Sequence, residues 1–138
     1  MNTLHNITTK NRLLIVDDDP DIIIVFKTAL ENNKYSVDAF TNPLEAISKF
    51  KTNQYDFVLL DVVMPEMDGF ELYDEIKRID PNVKVCFMTA YDVNYESLKD
   101  IYEMPDIDGT YFKKPFEMEE LIEYLNKELN NFNLAFDK

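Results

Sequence analysis

Two short, unbroken apolar runs end on acids. Leu13-Leu14-Ile15-Val16 leads into Asp17-Asp18-Asp19, and Phe57-Val58-Leu59-Leu60 leads into Asp61. A strand with one face in water alternates apolar and polar residues, so an unbroken run reads as a strand covered on both faces, the kind found in parallel sheets flanked by helices. Residues 35–40, 83–88 and 110–112 supply three more apolar runs, and amphipathic stretches lie between them.

Those stretches carry helix signals. Asp19 is a candidate N-cap for a helix over 20–33, with Pro20 at its first position and Ile22, Phe26, Ala29 and Leu30 along one face. Asn42-Pro43-Leu44-Glu45 combines a capping box with proline at the first helical position and leads into Ala46, Ile47 and Phe50. Asp68-Gly69-Phe70-Glu71 is a second capping box, followed by Leu72, Ile76 and Ile79 at helical spacing. Residues 93–103 form a weaker helix. A last one over 117–129 places Met118, Leu121, Ile122, Leu125 and Leu129 on one stripe. Alternating strands and helices imply parallel pairing with right-handed crossovers. The expected fold is a doubly wound, three-layer α/β sandwich with a five-stranded parallel sheet and five helices.

In such a sheet all carboxyl ends of the strands face one edge, where ligands bind. That edge would gather Asp17 and Asp18 from the first strand, Asp61 from the third, Thr89 from the fourth and Lys114 from the fifth. Like charges so placed repel and cost stability unless a cation or a proton neutralises them. A divalent metal is the natural occupant. Oxygen ligands with no supporting His or Cys suit Mg²⁺, an ion most often held for phosphoryl chemistry.

Composition narrows the function classes. Lys and Arg total 14 against 27 Asp and Glu, a formal net charge of −13, which argues against nucleic acid or anionic membrane as a direct partner and favours proteins. The only cysteine, Cys86, cannot pair within the chain and reads as a small buried hydrophobe, consistent with a reducing compartment. No apolar run reaches the ~20 residues of a membrane span, and the opening residues lack a signal-peptide core. A soluble, cytoplasmic protein is expected. The one histidine, His5, lies in a polar lead-in over 1–11, so neither a Ser-His-Asp triad nor a histidine zinc site can be assembled. Two glycines, Gly69 and Gly109, leave no phosphate-cradling glycine loop. Residues 106–117 superficially match a calcium loop, but Tyr111 stands where its sharp turn requires glycine.

Four segments in order resemble the receiver domain of two-component response regulators: LLIVDDDPDI its first strand and acidic pair, VLLDVVMPEMDGFEL its phosphoacceptor strand and following loop and helix, and MTA and FKKPF its Thr and Lys-Pro signatures. The resemblance runs from about residue 12 to 129. It implies a flavodoxin-like strand order 2-1-3-4-5, a receiver domain over 12–130 and a short tail over 131–138. It further implies phosphorylation of Asp61, and Mg²⁺ held by Asp17, Asp18, Asp61 and the main-chain carbonyl of Val63. Thr89 would contact the phosphoryl group and Lys114 pair with it. Tyr111 is the aromatic switch position, and the Lys114-Pro115 bond is cis in the family. The phosphoryl donor would be a histidine kinase or phosphotransfer protein, and the output a downstream protein target. A homodimer through the face made by the helix at 93–103, the last strand and the last helix is a further implication. Such a domain is no enzyme beyond promoting its own phosphorylation and dephosphorylation.

Blander readings exist for each residue. Asp19 is most simply a helix cap, Asp21 favours a helix N-terminus, and Lys113 is a surface lysine. Taken singly, Asp17, Asp18 and Asp61 are solvated acids, Thr89 a strand residue, Lys114 a surface lysine and Tyr111 a half-buried aromatic; their common framework points to a site. A constitutive scaffold has no need of a repelling carboxylate cluster. A phosphatase with an aspartate nucleophile typically needs a second acid two residues on, where this chain has Val63. Residues 102–109 depart from the family's small turn, and Tyr91, two beyond Thr89, is expected to slow hydrolysis weakly. With fewer than ten residues after the last helix, the chain reads as a stand-alone receiver or as a receiver cut from a longer protein.

Overall fold

Backbone pairing turns the apolar runs into a single sheet. The computed structural model describes residues 10–89, 111–113 and 117–131. Among them are strands β1 (Arg12–Val16), β2 (Ser36–Phe40), β3 (Phe57–Asp61), β4 (Lys84–Thr89) and β5 (Tyr111–Lys113), and helices α1 (Pro20–Asn32), α2 (Pro43–Lys49), α3 (Gly69–Ile79) and α4 (Met118–Glu128). The strands lie parallel in the order β2-β1-β3-β4-β5. The flavodoxin-like order expected for the first four strands is found, with four helices around it. β5 is only three residues long and pairs with β4 at the edge, Phe87 opposite Tyr111 and Thr89 opposite Lys113. The helix expected at 93–103 lies outside the described residues.

Each continuous run splits its side chains between two cores, because successive strand residues point to opposite faces. Leu14, Val16, Val58, Leu60, Val85 and Phe87 face α2 and α3, meeting Ala46, Phe50, Phe70, Leu72 and Ile76. Leu13, Ile15, Phe57, Leu59, Cys86 and Met88 face α1 and α4, meeting Ile23, Phe26, Leu30, Leu121 and Leu125. Three layers result. Full burial of a Leu, Ile or Phe is worth roughly 1.5–3 kcal/mol, so β1, β3 and β4, covered on both sides, anchor the edge on which the acids stand.

Two local expectations need correction. The core face of α1 centres on Ile23, Phe26 and Leu30, whereas Ile22 packs only at its margin. The capping box proposed at α2 is one-sided: Asn42 accepts the N–H groups of Leu44 and Glu45, while Glu45 turns outward to Lys49. At α3 the box is reciprocal, with Asp68 accepting from Glu71 N–H and Glu71 accepting from Asp68 N–H. α4 ends as Asn130, at φ 60°, turns the chain and the Asn131 N–H returns to the Asn126 carbonyl at 2.6 Å.

Candidate functional site

Register brings the acids together. Val16 stands opposite Leu60 and Asp61 opposite Met88, so the residues at the ends of β1, β3 and β4 occupy adjacent rows. The ladders run on past the strands: Asp17 N–H donates to the Phe40 carbonyl at 3.1 Å, and Val62 N–H to the Met88 carbonyl at 3.0 Å. These bonds fix the main chain on either side of the cluster. One carboxylate oxygen each from Asp17, Asp18 and Asp61 falls within 4.8 Å of the others.

Burial differs across the three. Asp17 is fully buried and Asp61 is 7% exposed, while Asp18 is open to solvent. The three consecutive acids divide their work. Asp17 accepts the N–H of Asp19 at 3.0 Å, which orients its carboxylate, and Asp19 in turn caps α1 by accepting from Asp21 N–H at 2.9 Å. Asp19 is thus a helix cap, and the two residues before it supply the cluster.

Thr89 ends β4, buried, one position beyond the Met88 that faces Asp61. Val63 follows Asp61 by two residues and is half-buried against the α2/α3 core. Lys114 and Tyr91 lie outside the described residues. Tyr111 lies in β5 by its main chain, and its side chain is likewise outside the description.

The loop from Val62 to Asp68 holds a constraint that the capping motif alone does not reveal. Gly69 opens α3 and donates its N–H to the Val62 carbonyl at 2.8 Å. A Cβ at position 69 would stand 2.3 Å from the Asp61 carbonyl oxygen and 3.0 Å from the Val62 Cα. Only glycine lets the helix press on the strand end that carries Asp61. The sequence signal for this is a poor helix former at the first helical position. Within the same loop Met67 N–H closes a three-residue turn onto the Pro65 carbonyl at 2.8 Å, holding Glu66 at φ 72°, a conformation that costs a side-chain-bearing residue about 1–2 kcal/mol.

The donor set fits Mg²⁺. Hard carboxylate oxygens, few in number and one of them solvent-facing, leave room for the waters this ion retains.

Comparison with known proteins bears on the family. The model of the response regulator receiver domain family matches residues 13–126. The chain belongs to this family. The response regulator SaeR of Staphylococcus aureus (strain USA300) is 35% identical over 114 residues, 83% of this chain and 48% of that protein. The chain therefore spans about half the length of the curated relatives it matches. Among solved structures, the response regulator protein TrrA from Thermotoga maritima, in complex with Mg²⁺-BeF, has a TM-score of 0.71 and 34% identity over 85% of this chain and 97% of that one. A CheY-like receiver domain protein from Methanospirillum hungatei JF-1 has a TM-score of 0.73 and 29% identity, covering 88% of this receiver and 94% of that chain. No helix among the described residues of the receiver is long and apolar enough to cross a membrane.

Proposed function

We infer that the receiver is a phosphorylation-dependent signalling switch in which Asp61 takes a phosphoryl group from a histidine kinase or phosphotransfer protein. The convergence of Asp17, Asp18 and Asp61 within 4.8 Å at the end of two strands carries this reading. Phosphoryl transfer asks chiefly for an in-line oxygen and compensating positive charge. Asp61 provides the oxygen: its bond to phosphorus forms as the bond to the donor's imidazole nitrogen breaks. Asp17, Asp18, Asp61 and the Val63 carbonyl would hold Mg²⁺. When bound, that ion supplies positive charge to the transferring oxygens. Lys114 would add an ammonium.

The switch follows from the new charge. The acyl phosphate adds up to two negative charges beside Thr89, whose hydroxyl donates to a phosphoryl oxygen and moves inward. Tyr111 then fills the space that Thr89 leaves. The face made by residues 93–103, β5 and α4 displays the change to a downstream protein or to a second copy of the chain. The receiver unit spans 12–130, with a lead-in over 1–11 and a tail over 131–138, and works in the cytoplasm without direct contact to nucleic acid or membrane. It turns over no substrate other than its own aspartyl phosphate.

Incubation with acetyl phosphate and Mg²⁺, read by intact mass, tests the assignment. Wild type gains one phosphoryl group and Asp61→Ala gains none. An unmodified wild type, or a variant that still gains the group, refutes it.

A further inference from the structure

The opposite edge of the sheet, where the strands begin, holds a cavity of about 250 Å³. Its lining includes Lys10, Arg12, Asn53, Asn82 and Lys84. Parallel topology puts it a full strand length from Asp61, since Arg12 opens β1 and Lys84 opens β4.

Two acids also border it, and both are committed to bonds inside the protein. Asp56 accepts Arg12 Nη2 at 2.9 Å, Arg12 Nε at 3.1 Å and the Arg12 main-chain N–H at 2.9 Å. Burial works to raise the Asp56 carboxyl, and the bonds from Arg12 outweigh it and hold the group below the ordinary carboxylate range. Asp80 is buried and accepts the main-chain N–H groups of Asn53 at 3.0 Å and Asn82 at 3.3 Å.

The donors are less fully used. The Arg12 guanidinium spends one hydrogen of Nη1 on the Asn53 carbonyl and one of Nη2 on Asp56, which leaves one on each nitrogen and fixes the plane of the group. Lys84 Nζ spends one of its three on the Glu128 carbonyl at 2.5 Å. The ammonium of Lys10 and the side-chain amides of Asn53 and Asn82 make no hydrogen bond among the described residues. The lining thus carries three cations against two carboxylates that are engaged within the protein, and its spare donors lie on Arg12, Lys10, Lys84 and the amides of Asn53 and Asn82. In a chain of net charge −13 this is an unusual place, and a small anion repelled elsewhere is attracted here.

We propose that this cavity at the N-terminal edge of the sheet binds a compact phosphate-bearing anion, either inorganic phosphate or the phosphate of a small monoester. Lys10 and Lys84 supply the mobile charge, the fixed Arg12 guanidinium a planar donor pair, and Asn53 and Asn82 neutral donors at the rim. The site is separate from the phosphoacceptor and does not depend on its assignment.

Amide resonances of the whole 138-residue chain, followed without Mg²⁺ during titration with sodium phosphate, with glycerol phosphate and with sodium chloride at matched ionic strength, test it. Saturable shifts at Asn53, Asn82 and Lys84 are expected with one or both phosphate compounds and absent with chloride, and the tighter of the two names the source. Lys10→Gln/Lys84→Gln, which alters two side chains at the surface, is expected to weaken binding at least tenfold. Shifts that track ionic strength alone, shifts centred on Asp17 and Asp61, or an unchanged affinity in the double variant each overturn the proposal.

Discussion

Removing one charge from the acidic cluster should stabilise the metal-free receiver. At a separation of 4.8 Å two unit charges repel by about 1 kcal/mol in a water-like dielectric and by about 3 kcal/mol at an effective constant near 20. Asp17 and Asp61 are both buried, so their pair sits toward the upper figure. Asp61→Asn keeps the side-chain volume and one acceptor oxygen while deleting the charge. For a chain of this length 1 kcal/mol moves the melting temperature by about 3 °C, so the variant should melt roughly 3–9 °C above wild type in EDTA at low salt. Mg²⁺ narrows the gap. Binding only to the folded state stabilises wild type by about 2.7 kcal/mol at a hundredfold excess over Kd, and Asp61→Asn, short of a ligand, gains less. A double-mutant cycle with Asp17→Asn sharpens the test. Both single changes relieve the same repulsion, so the double variant should gain less than their sum. Thermal melts by circular dichroism, with and without millimolar Mg²⁺, read all of these quantities. An Asp61→Asn protein that melts below wild type in EDTA, together with a Mg²⁺ shift equal to that of wild type, would refute the clustering of charge from which the site was built.

Two further outcomes follow from other parts of the fold. Gly69→Ala places a methyl group 2.3 Å from the Asp61 carbonyl oxygen, so it should destabilise the fold by about 1–3 kcal/mol in urea and slow phosphorylation by acetyl phosphate; an unaffected rate would show that the strand end does not need the glycine. Burial pushes the Tyr35 hydroxyl up to about 12 from 10, and that hydroxyl donates to Asn126 Oδ1. The unfolded chain therefore loses this proton first, and the contribution of Tyr35 to stability is complete below pH 10 and fades as pH climbs toward 12. Tyr35→Phe should be less stable by about 1–3 kcal/mol at neutral pH, where it leaves the buried Asn126 oxygen unpartnered, and the gap to wild type should narrow between pH 10 and 12 in urea titrations. A gap that stays constant contradicts the assignment.

How much of this protein could be read from its residues depends on the range of the interaction involved. Continuous apolar runs at β1, β3 and β4, proline at the first position of α1 and α2, and the reciprocal box of Asp68 and Glu71 are local signals, and the corresponding elements stand where they point. Boundaries moved by a residue or so, as at β4, which begins at Lys84 and takes in Thr89, because pairing with neighbouring strands, not apolarity, decides where a ladder stops. Which isoleucine of α1 enters the core was also beyond local reading. Ile22, Ile23 and Ile24 are equally apolar, and only the way the helix lies on the sheet selects Ile23.

The sequence by itself determined the element types, the placement of acids at strand ends and, through its motifs, the family. Only the tertiary structure decided that Asp17, Asp18 and Asp61 share a volume small enough for one ion, because strand register and twist are not written in any single segment. It also decided that Gly69 presses on the Asp61 main chain and that Arg12, Asn53 and Lys84 border one cavity. Asp17 and Asp61, like Arg12, Asn53 and Lys84, lie tens of residues apart along the chain, and side chains at such separation meet only once the packed layers have fixed where each strand begins and ends.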